Sequence, residues 1–414
     1  MLEIQSLFGL FALAAIAWVL SENRSAVSMR QAALGIGLQL GLALILLKLP
    51  GSREVFLSLN KVVLALESST HQATSFVFGY LGGGPAPFEA KAPHLSFVLA
   101  FQALPLILVV SALSALLFYW GVLPRIVKAF AWGLQKSMGI GGAAGLSAAA
   151  NIFVGMVEAP LFVRPYLKEM TRGELFLVMT CGMATIAGNM MIIYAQVLGP
   201  VIPTALGHIM AASIISAPAA ITIAHIMIPE TGKPTAGDMA PPTRYSGPMD
   251  AITQGTADGL GLVLNITAML IVLVALVAVG NSILSWIPPM GGEAITLQRM
   301  LGWLMAPLVW LMGVPWNEAV TAGGLMGMKT VLNEFIAYLQ MAQLPAGALS
   351  QRTELIMTYA MCGFANLGSL GIMIGGMGAM VPERKDDIVQ LGFKTIIAGT
   401  LATMMTGAVV GILS

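Results

Sequence analysis

Long runs of apolar residues constrain the fold of this sequence more than any other feature. A helix needs about 20 apolar residues to cross the hydrocarbon core of a bilayer. Runs of that order recur along the chain, for example at 32–49 and 202–228. Only 9% of the residues are charged, against about 25% in a soluble domain. The sequence therefore predicts an all-α polytopic membrane protein, and its net charge of +1 gives no indication of a nucleic-acid partner.

Taken in order, the apolar runs predict eight transmembrane helices, two re-entrant hairpins and one interfacial helix. The eight spans are expected at 7–20, 32–49, 95–122, 174–198, 202–228, 260–287, 355–380 and 388–413. The interfacial helix is expected at 53–67, where Phe56, Leu59, Val63 and Leu66 recur at helical spacing among charged residues. An ordinary extramembrane helix packed on the bundle is the alternative for this segment.

Two further segments, 138–161 and 301–339, are apolar but contain too many glycines and prolines for a straight span. They carry Glu158 and Glu334, and an acid at membrane depth costs about 2.5–3.5 kcal/mol. Irregular backbone at that depth is tolerated where it is buried in protein or lines water. We therefore expect two hairpins whose acids form a polar site. The alternative for Glu158 is a structural ion pair with a lysine such as Lys329.

The distribution of basic residues predicts the orientation in the membrane. Placing the N-terminus outside gathers most lysines and arginines, including Arg24, Arg125 and Arg172, in loops on the inner side. This arrangement predicts a protein of the cell inner membrane with both termini in the periplasm. A proline-containing loop at 230–247 is the candidate linker between the two halves.

An internal repeat accompanies the two hairpins. Residues 171–188 and 351–369 share an Arg-x-Glu-Leu sequence followed by Cys-Gly-x-Ala. The predicted number of crossings between them is odd, so the two copies should run in opposite directions. Inverted repeats with broken helices are typical of secondary transporters, whose substrate site lies where the halves meet.

Eight ordered blocks of residues lie at 147–155, 158–161, 164–166, 184–188, 216–218, 313–319, 333–338 and 362–366. Through these blocks the chain resembles the concentrative nucleoside transporter family over nearly its whole length. The resemblance implies a homotrimer whose protomers each move nucleoside inward with Na⁺ or H⁺.

The resemblance also implies a division into scaffold and mobile transport parts. Residues 1–123 would be a scaffold part with three spans and the interfacial helix, and 124–228 the first transport repeat. Residues 229–290 would hold a loop and a long scaffold helix, and 291–414 the second repeat.

The same resemblance implies a substrate site. Glu158 and Glu334 would accept hydrogen bonds from ribose hydroxyls, and Phe364 would pack beside the nucleoside. The full implied set of substrate-binding residues is Gly155, Met156, Val157, Glu158, Met190, Glu334, Phe364, Asn366 and Ser369.

Na⁺ is the expected coupling ion. By resemblance, Asn151 and Thr185 would offer side-chain oxygens, and Val154 and Ile186 backbone carbonyls; such all-oxygen ligation suits a hard cation. Thr185 could instead hydrogen-bond back to its own helix, and H⁺ coupling remains an alternative. A passive channel is less favoured because two buried acids suggest one saturable site. The sequence contains no catalytic motif, so no enzyme activity is expected.

Two positions depart from the family pattern. Met156-Val157 stands where Gln-Thr is common and faces the base, which predicts broader or altered base preference because apolar contacts discriminate weakly. Gln102 stands where a basic residue is common, and the sequence gives no account of its effect.

Overall fold

The computed structural model describes residues 1–49, 51–88, 97–202, 204–235, 245–290 and 294–414. Within those ranges the regular secondary structure is helical. The α-helices are α1 Leu2–Val19, α2 Met29–Lys48, α3 Ser52–Phe78, α4 Leu99–Gln102, α5 Leu106–Tyr119, α6 Val122–Met138, α7 Gly142–Ala150, α8 Glu158–Leu161, α9 Arg172–Ala184, α10 Gly188–Leu198, α11 Ala205–Met227, α12 Pro248–Leu284, α13 Leu297–Leu311, α14 Trp316–Val331, α15 Glu334–Ala342, α16 Gln351–Ala360, α17 Leu367–Met380 and α18 Lys385–Leu413.

The helical architecture confirms the predicted fold class. By length and composition, six helical stretches in the described part can cross a membrane: α1, α2, α4 with α5, α11, α12 and the stretch that contains α18. Pro105 is the N-cap of α5 and separates it from α4. The predicted spans 174–198 and 355–380 are each divided into two helices, so the total of eight spans stays a prediction.

The second hairpin consists of α13 and α14. Their axes are bent by 116° at a short break, where Gly313 has a φ of +96° that favours glycine. The two arms approach backbone to backbone. A Cβ atom added to Gly323 would lie 2.6 Å from the carbonyl oxygen of Gly302, and one added to Gly302 would lie 2.6 Å from that of Val320. Glycine therefore sets the spacing of this hairpin.

The first hairpin begins earlier than the sequence indicated. Its arms are α6 and α7, which pack together around a turn at Gly139–Gly141. The predicted segment 138–161 missed the arm α6 because its basic residues made it resemble a loop. In fact α6 buries one face, formed by Val127, Ala131, Leu134 and Met138, and leaves its charged residues on the other.

The two halves repeat the same order of elements. Each half has a hairpin, a short helix headed by a glutamate, a helix in two pieces and a long buried helix: α6 to α11 and α13 to α18. The repeated Arg-x-Glu-Leu sequence marks the first turn of α9 and of α16. Both helices begin at a side-chain cap, one residue apart in the register of the repeat: Thr171 accepts from the Glu174 N–H, and Ser350 accepts from the Thr353 N–H.

The long helices α11 and α18 form the centre of the bundle; 20 of the 23 residues of α11 and 19 of the 29 residues of α18 are buried. Helix α1 packs along α18, α2 along α11, and α5 along α12. Thus α1 and α2 lie on helices of the two repeats, whereas α5 and α12 form a separate pair. The four-part division predicted from the sequence stays a prediction.

The predicted interfacial segment is the first part of the longer α3, which packs against α11, α2 and α5. Its side chains at Phe56, Leu59 and Val63 lie outside the described residues, as do residues 236–244 of the predicted linker. The Gln102 amide donates to the Leu81 carbonyl at 3.1 Å and ties α4 to the turn after α3.

The close approach of α13 and α14 gives a stability prediction. Gly323→Ala should lower the free energy of unfolding by about 1–3 kcal/mol, because its methyl group would overlap backbone atoms that cannot move independently. The matched control is Gly37→Ala in α2, where an added Cβ would have nothing within 4 Å. Thermal unfolding in detergent gives the melting temperature of each variant. Equal melting temperatures for the two variants would contradict this account of the hairpin.

Candidate functional site

Two glutamates stand at equivalent places in the two halves. Glu158 begins α8 after the non-helical segment 151–157, and Glu334 begins α15 directly after a break at Leu332–Asn333. The Asn333 side chain accepts from the Ile336 N–H at 2.9 Å and so fixes the start of α15. The helix breaks predicted from glycine and proline therefore place both carboxylates at irregular points of the backbone.

Glu334 is buried, with only 4% of its surface exposed, and both of its oxygens accept hydrogen bonds. The Tyr194 hydroxyl donates to Oε1 at 2.5 Å, and the Asn366 amide donates to Oε2 at 3.0 Å. Asn366 in turn accepts from the backbone N–H of Ser369 at 2.7 Å. The structure therefore brings together three predicted substrate-binding residues, Glu334, Asn366 and Ser369.

A buried lysine lies near this cluster. Lys329 has no exposed surface, its ammonium donates to the Thr403 hydroxyl at 3.4 Å, and it interacts electrostatically with Glu334. A positive charge there partly offsets the cost of burying the carboxylate. No lysine or arginine in the described ranges lies within ion-pair distance of Glu158. The alternative pairing of Glu158 with Lys329 is therefore not what the structure shows.

Glu158 faces a cavity of about 220 Å³ between α5, α12 and the 151–161 segment. Its carboxylate lies against Gly155, where an added Cβ would be 2.1 Å from Glu158 Oε2. Asp258 and Ser111 also line the cavity, together with three aromatic rings. Those rings are Phe118, Phe162 and Tyr245.

Helix α10 connects the surroundings of the two acids. Its first residue, Gly188, lines the Glu158 cavity and donates its N–H to the Phe153 carbonyl at 3.0 Å. Tyr194, which reaches Glu334, lies six residues further on, a rise of about 9 Å along the helix. The carboxylates thus face the two ends of one short helical segment.

The remaining predicted substrate-binding residues surround these breaks. Met156 packs against Gly182 of α9, where an added Cβ would lie 2.9 Å from the Met156 Cβ, and Val157 packs against Gly376 of α17. Met190 is buried in the first turn of α10. Phe364 is half-buried in the break between α16 and α17.

The predicted cation ligands lie on two chain segments that the Gly188–Phe153 hydrogen bond joins. Asn151 is fully buried and donates to the Ser147 carbonyl at 3.1 Å, but its Oδ1 has no hydrogen-bond partner among the residues described. A buried acceptor without a partner is costly. A hard cation such as Na⁺ fits this oxygen, and it would satisfy the acceptor.

Thr185 ends α9 at the second of these segments. Its hydroxyl donates to the Cys181 carbonyl at 2.9 Å, which is the back-bond that the sequence left open as an alternative. Because that bond uses only the hydroxyl proton, the oxygen keeps lone pairs for a cation. Val154 and Ile186 are placed in the non-helical stretches beside Phe153 and Gly188. The residues present are therefore compatible with a Na⁺ site.

Sequence reasoning did not identify Tyr194, Asp258 or Tyr245. Each is a single polar residue in or beside an apolar helix, and its partner or cavity neighbour is distant in sequence. The unusual presence of an acid near the start of the long apolar helix α12 was the available signal for Asp258.

Comparison with known proteins agrees with this architecture. Family models for the Na⁺-dependent nucleoside transporter match residues 8–81 at the N-terminal part and 208–411 at the C-terminal part, and a model for nucleoside recognition matches 100–201. The chain is 39% identical to an uncharacterized transporter of Haemophilus influenzae, covering 99% of this chain and 97% of that protein. It is 35% identical to the nucleoside permease NupC of Helicobacter pylori, covering 98% and 97%.

A solved structure of CNTnw in an inward-facing, substrate-bound state superimposes with a TM-score of 0.90 at 36% identity. The match covers 100% of this chain and 98% of the other. These similarities extend over the hairpins, the broken helices and both glutamates, and they indicate a transporter and not an enzyme. The chain belongs to the concentrative nucleoside transporter family.

Proposed function

We propose that this protein is a secondary active symporter that imports nucleosides across the inner membrane together with Na⁺. The observation that carries the proposal is the buried Glu334 carboxylate, held by Tyr194 from the first repeat and Asn366 from the second. A carboxylate has about four lone-pair sites. Two are used by these donors, so the others are available to the hydroxyl groups of a sugar.

The position of this carboxylate between the repeats suits alternating access. Transporters with repeated, broken helices expose one central site to either side by moving one part of the bundle against another. In this protein the mobile part would contain the two repeats. The cavity that Glu158 lines supports an approach route to that carboxylate from the α5–α12 side.

Na⁺ coupling is supported by the Asn151 oxygen, which has no hydrogen-bond partner in the described part of the chain, and by the family relationship. Asn151 and Thr185 would hold the ion through their side chains, and Val154 and Ile186 through their carbonyls. One Na⁺ crossing a potential of about 100 mV supplies about 2.3 kcal/mol. At about 1.4 kcal/mol per decade, that supports on the order of 50-fold accumulation of substrate.

The proposal includes a homotrimer with both termini in the periplasm. The family relationship supports the trimer, and the excess of lysine and arginine in the opposite loops supports the orientation.

Uptake by proteoliposomes tests the coupling ion. Nucleoside uptake should rise with external Na⁺ at fixed pH, and Thr185→Ala should raise the Na⁺ concentration for half-maximal uptake by about tenfold, as losing a group near a bound ion does. Thr222→Ala is the matched control, because Thr222 makes the same bond to the carbonyl four residues earlier inside α11. Sodium-independent uptake driven by external acid would overturn Na⁺ coupling and favour H⁺.

Counterflow separates the carrier from a channel-like pore. Proteoliposomes preloaded with unlabelled nucleoside should take up labelled nucleoside faster than empty ones. Internal nucleoside binds the carrier, so the site returns to the outside in the loaded form. The rate should saturate with external nucleoside. A channel would show no stimulation by internal substrate, and that result would rule out alternating access.

The apolar pair Met156-Val157 predicts the pattern of base recognition. Purine and pyrimidine nucleosides should compete for uptake with inhibition constants within about tenfold, because apolar contacts reject a changed base weakly. In the double variant Met156→Gln with Val157→Thr, the inhibition constants of purine and pyrimidine nucleosides should differ more. A base that does not match the new polar side chains would leave them unpaired. Strict preference of the unmodified protein for uridine would contradict this interpretation.

A further inference from the structure

We infer that Tyr194 is a positioning residue for sugar recognition: its hydroxyl holds the Glu334 carboxylate in the orientation that accepts the hydroxyl groups of a nucleoside. The inference rests on the proposed function and adds a residue from the opposite repeat to the site. Tyr194 would not itself contact the substrate.

A backbone N–H group fixes the direction of the hydrogen bond between Asn366 and Glu334. Because the Ser369 N–H can only donate, the Asn366 atom that faces it must be the oxygen, so the Asn366 NH₂ points at Glu334. Tyr194 donates to the other carboxylate oxygen. Both oxygens of Glu334 therefore act as acceptors, and the two donors determine the plane of the carboxylate.

Two aromatic side chains pack against the Tyr194 ring. It has no exposed surface, it stacks on Phe335 with ring centres 6.1 Å apart, and it contacts Tyr338 at 5.2 Å with a tilt of 47°. Phe335 follows Glu334 directly in α15. The same aromatic cluster therefore fixes the phenol relative to the backbone that carries the acid.

The hydrogen bond also crosses between the two repeats. Tyr194 lies in α10, 140 residues from its partner in sequence. Any rearrangement that separates α10 from α15 would release one oxygen of Glu334. The orientation of the sugar-binding carboxylate is thereby tied to the packing of one half against the other.

Tyr338 provides a matched control. It belongs to the same buried cluster, but its hydroxyl donates to the Thr358 carbonyl at 2.8 Å. Tyr194→Phe and Tyr338→Phe each remove one buried hydroxyl and keep the ring. Only the first removes a donor to Glu334.

The experiment compares uptake kinetics of both variants for a nucleoside and for its 2′-deoxy and 3′-deoxy analogues. Tyr194→Phe should raise KM for the nucleoside by about tenfold, the order expected for a lost bond to a charged group. Its maximal rate per reconstituted protein should stay within about twofold. The KM ratio of deoxy analogue to nucleoside should fall toward one, because a misoriented carboxylate no longer distinguishes them.

Tyr338→Phe should keep the deoxy-to-nucleoside ratio of the unmodified protein. If Tyr194→Phe also keeps that ratio while the unmodified protein transports nucleosides, the positioning role is wrong and the proposed function stands. If the unmodified protein transports no nucleoside, the proposed function itself fails. Thermal unfolding of both variants identifies a general loss of folding, which would lower the maximal rate without changing the ratio.

Discussion

A carboxylate buried among membrane helices is the constraint on which the rest of this structure depends. An isolated charge at such depth is unfavourable by several kcal/mol, so the surrounding chain must supply donors and a compensating charge. Glu334 obtains them from Tyr194 of α10, Lys329 of α14 and Asn366, the N-cap residue of α17. Parts of α10, α14 and α17 therefore meet around the Glu334 carboxylate. Together they form a polar cluster inside an otherwise apolar helix bundle.

The breaks in the helices are what allow this convergence. A continuous helix satisfies its own backbone and presents only side chains, whereas an interrupted one also presents carbonyls and N–H groups. The interruptions at 151–157 and after Thr185 lie close enough for the Gly188 N–H to bond to the Phe153 carbonyl, and the interruption before Leu367 places the Asn366 amide on Glu334. The same geometry leaves the Asn151 Oδ1 without a hydrogen-bond partner among the described residues, so the proposed ligands of the sugar and of the ion come from a single set of breaks.

Much of this arrangement could be predicted from the sequence, for identifiable reasons. The low fraction of charged residues predicted a membrane protein. The acids in segments rich in glycine and proline indicated where the helix breaks before α8 and α15 lie. The arm α6 was missed because an amphipathic helix with basic residues on one face resembles a polar loop. Tyr194 was missed because nothing in an apolar run indicates which tyrosine meets a carboxylate 140 residues away. Such pairings follow from packing, and local sequence pattern does not encode them.

The central claim is that Glu334 binds the sugar of a nucleoside, and equilibrium titration of purified protein in Na⁺ tests it most directly. The account predicts that the nucleoside binds, that the free base binds at least about 100-fold more weakly, and that Glu334→Gln loses this difference, because it removes the acceptors of the sugar hydroxyls. Glu334→Gln protein that binds the nucleoside as tightly as the unmodified protein, with the same preference over the base, would contradict the account.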